Sequence, residues 1–349
     1  MYTAEFTYHK ATSVSEALGL MAANPDAKLL AGGHSLIPTM KLRLAAPSAL
    51  IDVSKIADLH GIRLEGDTII IGAMTTHREI EFSSLLKEHC AILPSQARMI
   101  GDPMVRNKGT IGGAIAHADP AADYPAAMLA LNAKLKIEGP SGSRVVGADE
   151  FFQGMFTTAV GADEMLTEIH VPANSKGSAY SKFPHPASRY ALAGVAVVVQ
   201  ADGTVRAAYT GAGDCAARIT KLETEGANSS CQNLVNPGDL MGDHFASAEY
   251  RAHLINVMAR EALGNARGDE LERIEGIGPK MANALRAAGI RSFVALAKSS
   301  EESLQAALNA AQMPAAPSIG SWAQQANLLA NGDEAGFKVL TDRLTAGRE

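Results

Sequence analysis

Two glycine-centred segments, Leu29-Leu30-Ala31-Gly32-Gly33-His34-Ser35 and Gly109-Thr110-Ile111-Gly112-Gly113, adjoin apolar runs within one domain's length of each other. Glycine lets the backbone take positive φ and approach a ligand with no Cβ in the way, so that consecutive N–H groups converge on phosphate oxygens. Two such loops suit one elongated, phosphate-bearing ligand, although each Gly-Gly taken singly is also an ordinary turn. Neither segment fits Gly-x-Gly-x-x-Gly or a loop ending in Gly-Lys-Ser/Thr. A ligand held here is held without the usual dinucleotide or triphosphate fingerprint.

Composition narrows the partners. The chain has 349 residues, enough for two or three domains, and is 47% apolar. Its formal charge of −6 offers no attraction to nucleic acid or anionic lipid and favours a small molecule or a protein. The longest apolar run, 191–199, falls well short of the ~20 residues of a membrane helix and reads as a buried strand. The start, Met1-Tyr2-Thr3-Ala4-Glu5-Phe6, lacks the basic and apolar regions of a signal peptide, so a reducing cytoplasm is expected. Cys90, Cys215 and Cys231 are scattered, whereas an iron–sulfur cluster takes about four thiolates. With no His-Glu-x-x-His and no Cys-x-x-Cys, no metal site is expected, and any redox group is organic.

Local patterns give an α+β layout over 1–175, with a helix at 13–23, strands at 28–30, 50–53 and 68–73, and a hairpin through Gly139-Pro140-Ser141-Gly142. Thr76 with Glu79 predicts a capping box opening a helix that runs toward Leu86, and a second helix covers 90–99. A second unit, 176–267, holds a strand at 192–200, an Asp202-Gly203 turn, a returning strand at 205–210 and one amphipathic helix over 245–263 that Gly264 ends. Residues 268–349 are of another kind. The stretch 271–290 resembles a helix-hairpin-helix, with Gly276 and Gly278 forming the hairpin and Pro279 opening a helix; an Ala/Pro-rich connector at 311–318 precedes a last helical portion around 322–344.

Linked motifs in the right order then carry a family resemblance. Segment 28–36, the run Leu50-Ile51-Asp52-Val53-Ser54, the block 101–113, Ala118-Asp119-Pro120-Ala121-Ala122-Asp123-Tyr124-Pro125, Tyr180-Ser181-Lys182-Phe183, 185–190 and Ala246-Ser247-Ala248-Glu249-Tyr250-Arg251 resemble the flavin-binding medium subunit of molybdenum hydroxylases, of the carbon monoxide dehydrogenase type. The resemblance spans roughly three quarters of the chain and stops before the helix-hairpin-helix.

This resemblance implies a FAD-binding domain of the p-cresol methylhydroxylase and vanillyl-alcohol oxidase (PCMH) type at 1–175, two α+β subdomains with FAD extended between them. A small α+β domain at 176–267, of the carbon monoxide dehydrogenase flavoprotein C-terminal type, and an α-helical extension at 268–349 would follow. Leu30, Ala31, Gly32, Gly33, His34, Ser35 and Leu36 from the first loop, and Gly109, Thr110, Ile111, Gly112, Gly113 and Ala114 from the second, would grip the pyrophosphate from opposite sides. Asp123 would approach the flavin or cap a helix. Leu166 and Lys182 match positions lining the ring or ribityl region, where a lysine would offset negative charge on reduced flavin; a solvated lysine is the other reading. Tyr190 would stack on the ring or fill the core, and His34 would meet the flavin or sit as a core histidine. No catalytic acid, base or nucleophile stands out. Substrate would be oxidised on a molybdenum-cofactor large subunit, with electrons passing through an iron–sulfur small subunit to this FAD and on to an acceptor that the residues do not identify. The location implied is cytoplasmic, or peripheral at the inner membrane through partners.

Two competing readings come from other classes. One is a self-sufficient flavin oxidase, against which the short second unit shows no obvious polar pocket. The other is a nucleic-acid binder working through the hairpin. Residues 269–349 hold eight Lys+Arg against ten Asp+Glu, a balance of −2 where a phosphate binder is basic. An extra protein partner suits the extension better than DNA.

Overall fold

The computed structural model describes residues 2–173, 177–200, 202–314 and 316–344. The domain boundary expected at 175/176 lies outside the described residues. By internal packing the chain forms two compact units, 1–259 and 260–349.

In the first unit, β1 (Thr7–Lys10), β2 (Lys28–Leu30) and β3 (Ala49–Asp52) make a parallel sheet in the order β1-β3-β2. The helix Val14–Ala23 opens on Ser13, whose hydroxyl accepts from Glu16 N at 3.1 Å, and buries Ala17 in a small core with Ile51, Ile56 and Met165. A second sheet uses β4 (Ile62–Glu65), β5 (Thr68–Gly72), β6 (Lys134–Gly139) and β7 (Gly142–Gly147). After the short hairpin β8 (Phe152–Gly154) and β9 (Thr157–Thr158), β10 (Met165–Pro172) inserts centrally to give the antiparallel order β4-β5-β10-β6-β7. A register shift between Leu166 and Glu168 frees Thr167 O to accept from Ala73 N at 2.9 Å, which steers the chain leaving β5.

The capping box forms: Thr76 N donates to Glu79 Oε2 at 2.7 Å, and Glu79 N donates to Thr76 Oγ1 at 3.2 Å. The helix it opens stops sooner than expected. It runs His77–Phe82, and a fresh helix, Ser84–His89, starts because the Ser83 hydroxyl accepts from Leu86 N at 3.2 Å. The strands β11 (Gly177–Pro184), β12 (Ala191–Val199), β13 (Val205–Thr210) and β14 (Ala217–Arg218) form an antiparallel meander. The helix Tyr124–Ala130, buried along its whole length, packs on β12 and β13, and Tyr180, Ala196, Val198 and Ala208 join the core of the second sheet. Residues 177–259 therefore share a core with 1–173 rather than standing apart.

The helix expected to end at Gly264 instead spans Ala248–Arg267. Mid-helix glycine costs only about 1 kcal/mol against alanine, and the buried Ala259, Ala262, Leu263 and Ala266 outweigh it. At its start Arg251 donates to Leu192 O at 2.8 Å and Gly211 O at 2.5 Å, which fixes the helix to the meander.

In the second unit Pro279 is the first residue of the helix Pro279–Ala287, as expected. The other half of the hairpin is only a 3₁₀ turn, Leu271–Arg273. The fully buried Trp322 centres this unit's core, its indole N–H donating to Ser318 Oγ at 3.1 Å. No helix among the described residues is long and apolar enough to cross a membrane.

Candidate functional site

The first glycine loop leaves β2, and its exit is set by Val53 N donating to Leu30 O at 3.2 Å. Gly33 has φ of +71°, where a β-branched residue is strained. At Gly32 a Cβ would lie 2.3 Å from Lys108 O, so the two glycine loops meet backbone to backbone. The His34 ring donates from Nδ1 to Gly32 O at 2.9 Å and is exposed, which removes the core-histidine reading. Ala31 packs beside the small core, and Leu36 begins the helix Leu36–Lys41. Among the described residues no acceptor takes the N–H groups of Gly32, Gly33, His34, Ser35 or Leu36.

The second loop is built differently. Thr110 caps the helix Ile111–His117 by accepting from Gly113 N at 3.1 Å. Ile111 N donates to Thr75 O at 3.0 Å, and Gly112 N donates to Ala73 O at 2.9 Å. The expectation that Ile111, Gly112 and Gly113 offer free N–H groups to a phosphate is therefore corrected: Ile111 and Gly112 lock the loop to the chain after β5, and Gly113 is taken up by the Thr110 cap. What the second loop adds is close approach, a Cβ built on Gly113 lying 3.7 Å from that of Ala31. Ala114 sits one turn into the same helix, against the main core.

Behind Gly109 lies His77, a residue that sequence reasoning missed. A Cβ on Gly109 would come within 2.7 Å of His77 Nε2, and His77 N donates to Gly109 O at 3.0 Å. Its ring is 5.5 Å from that of Tyr124, and Nδ1 is buried without a hydrogen-bond partner among the described residues. Burial first, then the neighbouring His34 and Arg106, push the imidazole down to about 4.

A buried ionic cluster lies at the start of the helix Tyr124–Ala130. Asp123 makes no helix-cap bond with its side chain. Its carboxylate instead accepts from Lys182 Nζ at 2.8 Å and from the Tyr180 hydroxyl, while its carbonyl accepts from Gln96 Nε2 at 3.1 Å. The side chains of Lys182 and Asp123 are 4% and 6% exposed, which rules out a solvated lysine. Burial raises the Asp123 carboxyl, and Lys182 and Tyr180 oppose that rise. Tyr180 and Lys182 are two apart on β11 and so share a face, a period that flags Tyr180 once Lys182 is chosen. Tyr190 is 44% exposed, so it does not fill the core. Its phenol is raised by partial burial and by the charges of Asp119 and Asp123. Leu166 is buried in the main core on β10.

Such a frame, a glycine loop of uncommitted N–H groups wedged against a capped helix, defines a domain for a phosphate-bearing cofactor, and residues 4–174 match the family described as the FAD binding domain in molybdopterin dehydrogenase. Residues 271–330 match a different family, the RS2/RL21/YNQ2 HHH domain. The carbon monoxide dehydrogenase medium chain of Hydrogenophaga pseudoflava is 40% identical over 286 residues, 76% of this chain and 98% of that one. The glyceraldehyde dehydrogenase medium chain of Sulfolobus acidocaldarius is 35% identical over 75% of this chain and 98% of its own. The solved Cu,Mo-CO dehydrogenase contains a chain that aligns with a TM-score of 0.73 at 36% identity, covering 76% of this chain and 99% of that one. The chain belongs to the family of FAD-binding medium subunits of molybdenum hydroxylases, and FAD is its cofactor.

The residues present fit that group. Five successive N–H donors suit a pyrophosphate, and no acidic side chain lies within 31–36 to repel it.

Proposed function

We propose that this chain is the electron exit of a molybdenum-containing dehydrogenase, carbon monoxide dehydrogenase-like in its build. Substrate is oxidised on a large molybdenum-cofactor subunit, and electrons reach this subunit's FAD through the iron–sulfur clusters of a small one before leaving for an external acceptor. FAD supplies a group that takes up two electrons and can pass them on one at a time. In this reading the N–H groups of 32–36 hold the pyrophosphate, and the hydroxyl of Ser35 adds a further donor. Gly109 and Thr110, with 111–114, wall the opposite side. Asp123 keeps Lys182 in place, and the ammonium offsets charge gained on reduction. Leu166 and Tyr190 complete the surroundings of the ring. The helical extension is read as a docking module for a further protein, and the assembly as cytoplasmic or held at the inner membrane through its partners.

The observation that carries the reading is the row of uncommitted N–H groups at 32–36, beside a contact that only glycine allows at position 32. The test is Gly32→Ala. Its methyl group would clash with the Lys108 carbonyl and push the loops apart. FAD per chain should fall by at least tenfold against wild type while far-ultraviolet circular dichroism stays unchanged. Full flavin content in the variant, or a wild-type chain that cannot be loaded with FAD, would refute the reading.

A further inference from the structure

The segment 185–190, which carries Tyr190, is wound around one imidazole. His185 Nδ1 accepts from Ala187 N at 3.1 Å and from Ser188 N at 3.2 Å, so that nitrogen carries a lone pair and no proton. The backbone of the same residue closes the loop. His185 N donates to Tyr190 O at 2.7 Å, and Arg189 N donates to His185 O at 2.9 Å. Arg189 sits at φ of +62°, an uncommon conformation for a side-chain-bearing residue, and Arg189 Nη1 reaches Gly101 O at 3.4 Å. Tyr190 N donates to Ser188 Oγ at 3.3 Å. On its outer side the His185 ring stands edge-on to Phe245, with centroids 4.3 Å apart.

These contacts form a closed circuit whose ends are both defined. Pro184 ends β11, two residues beyond Lys182, and Ala191 N returns to Ala121 O at 3.4 Å, within the segment that supplies Asp119 and Asp123. Residues 186–190 are all exposed, so the loop's shape rests largely on its hydrogen bonds. Four of them, two at Nδ1, one at the backbone N and one at the backbone O, belong to His185.

We propose that His185 is a positioning residue for the flavin: its unprotonated Nδ1 gathers the backbone of 187 and 188 and thereby presents Tyr190 to the cofactor. The inference rests on the flavin-site reading above, and it adds a residue that never touches the cofactor itself.

Three variants of the full chain test it. His185→Phe keeps a ring against Phe245 and loses the acceptor, whereas His185→Asn restores an acceptor that bonds backbone N–H groups two and three residues ahead. Tyr190→Ala removes the group being positioned. In the FAD-free chain, hydrogen exchange over 187–190 should accelerate in His185→Phe and return toward the wild-type rate in His185→Asn. FAD affinity should fall about tenfold in His185→Phe, be largely rescued in His185→Asn, and fall no further when His185→Phe is combined with Tyr190→Ala. The visible circular dichroism of bound FAD should change alike in His185→Phe and Tyr190→Ala. Wild-type affinity in His185→Phe, failure of asparagine to rescue, or additive losses in the double variant would overturn this inference while leaving FAD binding intact. A wild-type chain that takes up no FAD would overturn both.

Discussion

His77 gives the sharpest quantitative expectation. It lies behind the second glycine loop with its ring against Gly109, and burial, His34 and Arg106 hold its imidazole at about 4 instead of an ordinary 6.5. The depressed value means that the folded chain prefers neutral His77. The associated stability is present above the unfolded value of 6.5 and is lost as pH falls from there through about 4. Integrating the linkage between those two values from pH 7 to pH 5 gives a loss of about 2 kcal/mol from this one group. Urea denaturation of the first unit, followed by far-ultraviolet circular dichroism at both pH values, measures it. His77→Leu removes the titration, so the wild type should lose about 2 kcal/mol more than the variant over that interval. Flavin release should follow the same pH course, because the imidazole itself lies against Gly109 in the second glycine loop. Equal slopes for wild type and variant, with equal m-values, would refute the reasoning: the imidazole would then not be desolvated in the folded chain.

Other expectations follow from single contacts. Lys182→Met should leave the Asp123 carboxylate buried without its cation and cost about 3 kcal/mol, and adding Asp123→Asn should recover much of it; thermal melts of the single and double variants decide this. Gly276→Ala should loosen the second unit alone, because its Cβ would stand 2.3 Å from Ser318 Oγ and 3.0 Å from Trp322 Nε1. The emission of Trp322, the only tryptophan, should shift to the red while FAD content holds, and loss of FAD would contradict that independence. A chain ending at Gly268 should keep its FAD spectrum, and an unloadable truncated chain would mean that the extension is needed for the flavin site.

What could be read from the sequence follows the range of the forces involved. The Thr76–Glu79 capping box and the Asp202-Gly203 hairpin are local, settled within a few residues, and both form as read. Helix ends were harder to read because packing decides them: the buried alanines around Gly264 carry the helix through a residue that favours stopping, and Ser83 breaks one by capping the next. The glycine loops were visible as loops, but their division of labour was not. Whether an N–H group is free depends on where Thr75 O and Ala73 O sit, and that is set when the chain leaving β5 docks on the second loop. The same holds for Asp123 and Lys182, which meet across a sequence separation of 59. Each was visible as a flavin-side residue by resemblance, yet the pairing is a property of the fold. A buried lysine is tolerable only beside such a partner, so the chemistry expected of Lys182 depends on a carboxylate that β11 and the helix Tyr124–Ala130 bring together. That dependence also explains why sequence reasoning passed over Tyr180, His77 and His185. Each of them contacts a residue that the resemblance had already marked, Asp123, Gly109 and Tyr190 in turn, and those contacts exist only in the fold.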